Sequence, residues 1–120
     1  MTNALYLKPT LRWRPEFLGG KFKVVASLLL AVAPQDVVDP YQALAHSAAR
    51  NAFGAKAGRN YGQEIDFGLS YRMPFGANQR FGVEVGAQVG YLHPGDAFDR
   101  ADGSRMPGAY ASKWRATLVF

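Results

Sequence analysis

The 120-residue chain contains no cysteine, which excludes disulfides and thiolate metal sites. Charge is also scarce: charged residues are 19% of the chain, against roughly 25% in an average soluble domain. No stretch reaches the ~18 consecutive apolar residues of a membrane-spanning helix. Although the net charge is +5 and the pI near 9.7, lysines and arginines never occur consecutively. Their interleaving disfavours an arm-like nucleic-acid binder, so no nucleic-acid partner is expected, and leaves an anionic surface or anionic solute as the counterpart. No Ser/His/Asp nucleophile set and no phosphate-cradling glycine motif is present, so no enzymatic activity and no cofactor are expected.

What is there is alternation. Thirteen glycines and 13% aromatics suit a turn-rich, all-β chain. In GQEIDFGLSYRM (62–73), Ile65, Phe67, Leu69, Tyr71 and Met73 form one set, and Glu64, Asp66, Gly68, Ser70 and Arg72 the other. A period of two sustained over ten residues predicts a strand with two contrasting faces. RFGVEVGAQVGYL (80–92) repeats the pattern, and so does the end of the chain (109–120), where Trp114, Leu118 and Phe120 alternate with Lys113, Arg115 and Thr117. Two further strands are predicted over 4–14 and 21–33, with an irregularity at Pro9, which has no ladder donor. Together these predict an antiparallel up-and-down meander of about five long strands in a single module spanning 1–120.

The connections alternate in length. PEFLGG (15–20) and PFGANQ (74–79) are short, whereas 34–61 and 93–108 are long. Within the first long loop, Asp39 can cap and Pro40 suits the first helical position, predicting a short helix near 40–52. Strand, short turn, strand, long loop is the rhythm of a transmembrane β-barrel, and strands of ~9–11 residues match a tilted crossing. With the short turns in the periplasm, both long loops fall outside. KFKVVASLLLAVAPQ (21–35) imitates a secretory signal, but Trp13, Arg14 and Pro15 precede it and Pro34 follows the would-be cleavage point, so a strand is expected there. A soluble or self-assembling antiparallel sheet module with a structural or binding role explains the alternation equally well. It accounts less well for strands longer than the usual ~5–6 residues.

Three elements carry a family likeness: Gly62, Glu64 and Asp66 in a Gly-x-Glu-x-Asp strand; Tyr91, Pro94, Gly95 and Asp96 in an aromatic-x-x-Pro-Gly-Asp segment; and a terminal strand ending in Phe120. In this order they resemble the C-terminal end of alginate-export-like bacterial outer-membrane barrels, closely over 61–120 and in rhythm over 1–60. The resemblance implies a barrel well above the minimum of about eight strands. Five strands cannot close one, so the chain is expected to be the C-terminal segment of such a barrel, with Met1 an artificial start. It implies an outer-membrane channel or exporter passing anionic solutes such as acidic polysaccharide, with the lipid bilayer and the assembly machinery as partners. Lys113, Leu118 and Phe120 fit the terminal signal read by that machinery, while Arg115 occupies the position that prefers glycine.

On a barrel reading the polar set faces the lumen: Lys8, Arg12, Lys23, Arg72, Lys113 and Arg115 against Glu64, Asp66 and Glu84. Rings of cations lower the barrier for anions in a confined channel. The alternative is that these charges only satisfy one another across adjacent strands. Gly82, Gly86 and Gly90 on one face either leave lumen space or accommodate strand curvature. Trp13, Tyr71, Phe81, Tyr91 and Tyr110 fall near strand ends, where an aromatic girdle belongs. No metal site is expected. His46 and His93 each lack partners, Asp96, Asp99 and Asp102 lack the distal glutamate of an EF-hand, and Glu64/Asp66 and Glu84/Asp96 are not forced together as catalytic dyads.

Overall fold

The chain is all-β, mostly antiparallel, with one short helix. The computed structural model describes residues 4–120. In chain order the elements are β1 (Leu5–Leu7), β2 (Thr10–Trp13), β3 (Glu16–Phe17), β4 (Gly20–Val37), α1 (Pro40–His46), β5 (Gly58–Phe75), β6 (Phe81–Pro94) and β7 (Ala109–Val119). One sheet is ordered β1-β4-β5-β6-β7, with β2 and β3 also pairing with β4. Among the described residues neither outer edge is paired, so the sheet is open. Contacts divide the chain into two units. One gathers the chain up to Lys8, Leu28–Glu64 and Leu92–Ala109; the other gathers Pro9–Ser27, Ile65–Tyr91 and Tyr110–Phe120.

The strand expected over 4–14 is longer and broken into three pieces, yet it holds one register. Leu5 faces Val32, Leu7 faces Leu30, Thr10 faces Ser27, Trp13 faces Val24 and Phe17 faces Gly20. No residue is inserted or skipped. The first break holds Pro9, which cannot donate to the ladder, and the second holds Pro15, whose carbonyl still accepts from Phe22 N–H at 3.0 Å. The hairpin closes through two residues only, Leu18 (φ 51°) and Gly19 (φ 72°). Two successive positive φ values are the twist-compatible two-residue hairpin turn. The signal-like segment 21–35 lies wholly inside β4.

β4 and β5 run to 18 residues each, beyond the expected 21–33 and 62–73. Helix α1 is shorter than the expected 40–52. Asp39 Oδ1 accepts from Gln42 N–H at 2.9 Å at its start, and Ser47 at φ 51° ends it after His46. The residues beyond it fold back instead, with Arg50 bridging Lys56.

The first unit is held by polar contacts between the two long loops. Asn51 is fully buried, and its side chain makes four hydrogen bonds. Nδ2 donates to the carbonyls of Ala97 (3.2 Å) and Asp99 (2.9 Å); Oδ1 accepts from Phe53 and Ala55 N–H, both at 3.0 Å. The rings of Phe53 and Tyr61 pack on Phe98. Two of the motifs singled out in the sequence also interlock here. A side chain at Gly62 (φ 112°) would collide with the His93 carbonyl, and one at Gly95 with the Asn60 carbonyl. Asp96 Oδ1 accepts from Asn60 N–H at 2.7 Å, and Gly95 N–H donates to Tyr61 at 3.1 Å.

Candidate functional site: a basic groove on the polar strand face

The polarity of β5 and β6 is the reverse of a soluble sheet packed on a core. The apolar set is exposed: Ile65, Phe67 and Leu69 on β5, with Phe81, Val85, Val89 and Tyr91 on β6. The alternate residues Glu64, Asp66, Gly68 and Ser70 are half-buried, as are Glu84, Gly86 and Gly90. The buried apolar side chains among the described residues are all small: Ala33, Ala55, Ala97 and Pro94. Cross-strand pairing carries the same division into the hairpin. Leu7 opposite Leu30 and Trp13 opposite Val24 share one face, while Arg12 opposite Val25 and Thr10 opposite Ser27 share the other.

On the polar face of the second unit lies a groove of about 320 Å³. Its charged lining is Arg12 from β2, Lys23 from β4, and Lys113 and Arg115 from β7. Ser70 and Gln88 add neutral hydrogen-bonding groups, and the floor includes Gly68 and Gly86. Three strands therefore deliver four cations to one place, although up to about a hundred residues separate them in sequence. Gly86 is tightly packed as well as lining: a Cβ there would lie 3.3 Å from the Leu69 carbonyl.

The groove is only partly neutralised from within. Arg115 donates to Glu84 Oε1 at 2.6 Å, and the arginine is mostly exposed. Among the described residues Arg12, Lys23 and Lys113 have no carboxylate partner. A monoanion about 4 Å from one such cation gains about 4 kcal/mol of Coulomb energy at a near-surface effective dielectric, before its own desolvation is counted. The attraction is screened beyond ~8 Å at physiological salt, so it acts on solutes that enter the groove.

The other charges expected on this face take different positions. Asp66 accepts from Ser27 Oγ at 3.3 Å. Arg72 lies beside Gly82 and is not a lining residue; Lys8 and Glu64 belong to the first unit. Of the terminal-strand residues, Lys113 lines the groove, while Leu118 and Phe120 are exposed. Arg115, at the position where glycine was expected, makes the cross-strand pair with Glu84. Within the aromatic group Trp13, Phe81, Tyr91 and Tyr110 are exposed. Tyr71 is half-buried instead, packed on Phe22 with its hydroxyl donating to the Leu18 carbonyl at 3.2 Å. Ser70 and Gln88 were not singled out in the sequence. Their signal was parity alone, since each shares the set of Glu64 or Glu84.

The acidic residues of the second long loop serve its own folding. Asp102 Oδ1 accepts from Ser104 Oγ at 2.6 Å and from Ser104 N–H at 2.9 Å, and these bonds hold its carboxyl below the ordinary aspartate range. Asp99 lies 3.6 Å from Arg105, and Asp96 is tied to Asn60. No three His, Asp or Glu side chains gather to hold a metal ion among the described residues. No family model, no curated protein and no solved structure matches the chain.

Proposed function

We propose that this chain supplies consecutive strands to a bacterial outer-membrane β-barrel, a channel or exporter whose basic inner face passes anionic solutes such as acidic polysaccharide. The observation that carries the reading is the inverted polarity of the strands. Fully burying one Leu, Phe or Val side chain is worth about 1.5–3 kcal/mol, so leaving Ile65, Phe67, Leu69, Val85 and Val89 roughly half exposed to water forfeits on the order of 5 kcal/mol. A lipid hydrocarbon layer recovers that energy, and alternation of apolar-out with polar-in is the pattern such barrels require. No described helix is long and apolar enough to cross a membrane; crossing with strands is a separate matter.

In this reading lipid covers the apolar set, the outer-membrane assembly machinery receives the strand ending in Phe120, and the groove forms part of the solute path. Arg12, Lys23 and Lys113 attract the anion, Arg115 is held in place by Glu84, and Gly68 and Gly86 keep the path open. The reading is tested by partition and mobility. The full-length product that carries these strands is expected in the detergent-extracted membrane fraction, with a mobility on gels that changes on boiling. A fully soluble product with unchanged mobility overturns it.

The second reading, a β-sheet module that assembles through its strands, is favoured by the two unpaired sheet edges. It predicts the opposite partition result, with discrete oligomers in the absence of detergent.

A further inference from the structure

The outer edge of β7 is a long, open template. Every residue from Ala109 to Leu118 is exposed, the strand contains no proline, and it pairs only with β6 among the described residues. Alternate N–H and C=O groups on its far side are therefore available to another strand. Four chain reversals separate β1–β3 from β7, so the two edges of the sheet run in the same direction. Closing the sheet on itself would bring parallel strands together. An antiparallel partner for β7 has to come from outside the residues of this sheet.

Charge selects among the possible partners. The polar face of β7 carries Lys113 and Arg115; Arg115 is directed at Glu84 on β6, and Lys113 has no carboxylate partner among the described residues. A second copy related by a two-fold axis would lay β7 against β7. The register that pairs the whole strand with apolar faces matched sets Lys113 opposite Arg115, and like charges directly opposite are destabilising. A translated copy would instead offer its β1–β3 edge in parallel, with Arg12 and Arg14 on the polar face. The two-fold arrangement brings cation to cation; the translated one, whose edge also carries Glu16, would form a parallel ladder, which is less stable per residue than an antiparallel one. We infer that the β7 edge binds an antiparallel β-strand of another polypeptide segment in which apolar residues alternate with carboxylates, one carboxylate lying opposite Lys113. The β6 side of β7 already has this complementarity, with Glu84 against Arg115. The inference holds whether lipid or another protein surface covers the apolar set.

Because the chain has no cysteine, a single engineered thiol reports the edge cleanly. The full chain carrying Thr117→Cys on β7, and separately Thr10→Cys on the opposite edge, is folded in detergent. Each is offered two ten-residue peptides with a terminal cysteine, one alternating valine with glutamate and one alternating valine with lysine. At Thr117→Cys, disulfide capture of the glutamate peptide should exceed that of the lysine peptide on the order of tenfold, the effect of one or two cross-strand charge pairs. Capture of either peptide at Thr10→Cys should be weaker, because Pro9 and Pro15 interrupt the ladder along that edge, and adding Lys113→Glu should reverse the preference at Thr117→Cys. The inference is overturned by equal capture of the two peptides, by equal capture at the two edges, by a preference that survives Lys113→Glu, or by no capture at all. Covalent dimers at Thr117→Cys that outcompete both peptides assign the edge to a second copy instead.

Discussion

At the scale of single residues, Leu18 stands out because a leucine holds φ 51° in a two-residue turn. A left-handed conformation costs an ordinary L-residue roughly 1–2 kcal/mol, and asparagine tolerates it far better. Its side chain is exposed, so little packing is lost on replacement. Leu18→Asn is expected to stabilise the hairpin by about 1 kcal/mol, read as a raised thermal midpoint. Asn51 is the opposite case. Asn51→Ala leaves two N–H groups and two carbonyls without partners where the loops meet. A loss of about 3 kcal/mol is expected, together with faster amide exchange at Phe53 and Ala55. Asp102 gives a pH signature. Its carboxyl sits below the ordinary range, so its contribution to the turn is complete above that range and disappears as pH falls through the lowered value. A carboxyl-carbon NMR titration should show the lowered inflection in the native chain and its return toward the ordinary value in Ser104→Ala; identical titrations would refute the assignment.

At the scale of elements, the contact between the start of β5 and the end of β6 depends on glycine. Gly62 combines φ 112° with close approach to the His93 carbonyl, so Gly62→Ala meets both backbone strain and a collision. It should destabilise the first unit by at least ~2 kcal/mol, whereas Gly103→Ala, at a similarly positive φ but in open space, meets only the strain. Denaturant midpoints of the two variants separate the contributions. The sequence made the four long segments, the irregularity at Pro9 and the helix start at Asp39 legible, because alternation, a missing donor and a cap are local signals. It did not reveal that Leu5–Phe17 keeps one register through two prolines, nor that α1 stops at His46. Those outcomes depend on partners far along the chain: β4 for the register, and the loop ties of Asn51 for the helix end. The Gly-x-Glu-x-Asp and Pro-Gly-Asp segments were noticed as separate motifs, and only their contact explains why Gly62 and Gly95 lack side chains.

At the scale of the whole molecule, the exposed apolar set and the basic polar set have to be accounted for together. If the groove forms part of an anion path, Lys23→Glu combined with Lys113→Glu replaces two cations by two anions at its lining. Reversal potentials of the intact barrel in a planar bilayer should then shift from anion toward cation preference, with the shift shrinking as salt rises. A channel that prefers cations before mutation contradicts the proposal. Glu84→Gln should behave differently. It frees Arg115 and adds positive charge to the groove, strengthening anion preference, while the loss of an ion pair between an exposed arginine and a half-buried glutamate changes stability by about 1 kcal/mol.

The sequence by itself determined the two-faced character of the strands, the alternation of short and long connections and the membership of each face, because these follow from side-chain period and local turn chemistry; the connections themselves are shorter than expected, two residues at Leu18–Gly19 in place of 15–20. It placed Lys8, Arg12, Lys23, Arg72, Lys113 and Arg115 on the polar set without saying which of them meet. Tertiary structure decided that Arg12, Lys23, Lys113 and Arg115 share one groove, that Glu84 neutralises only Arg115, and that on β5 and β6 the apolar rather than the polar set is the more exposed. Convergence is set by strand order and register, which depend on hydrogen bonds between residues far apart in the chain, and no local pattern encodes those.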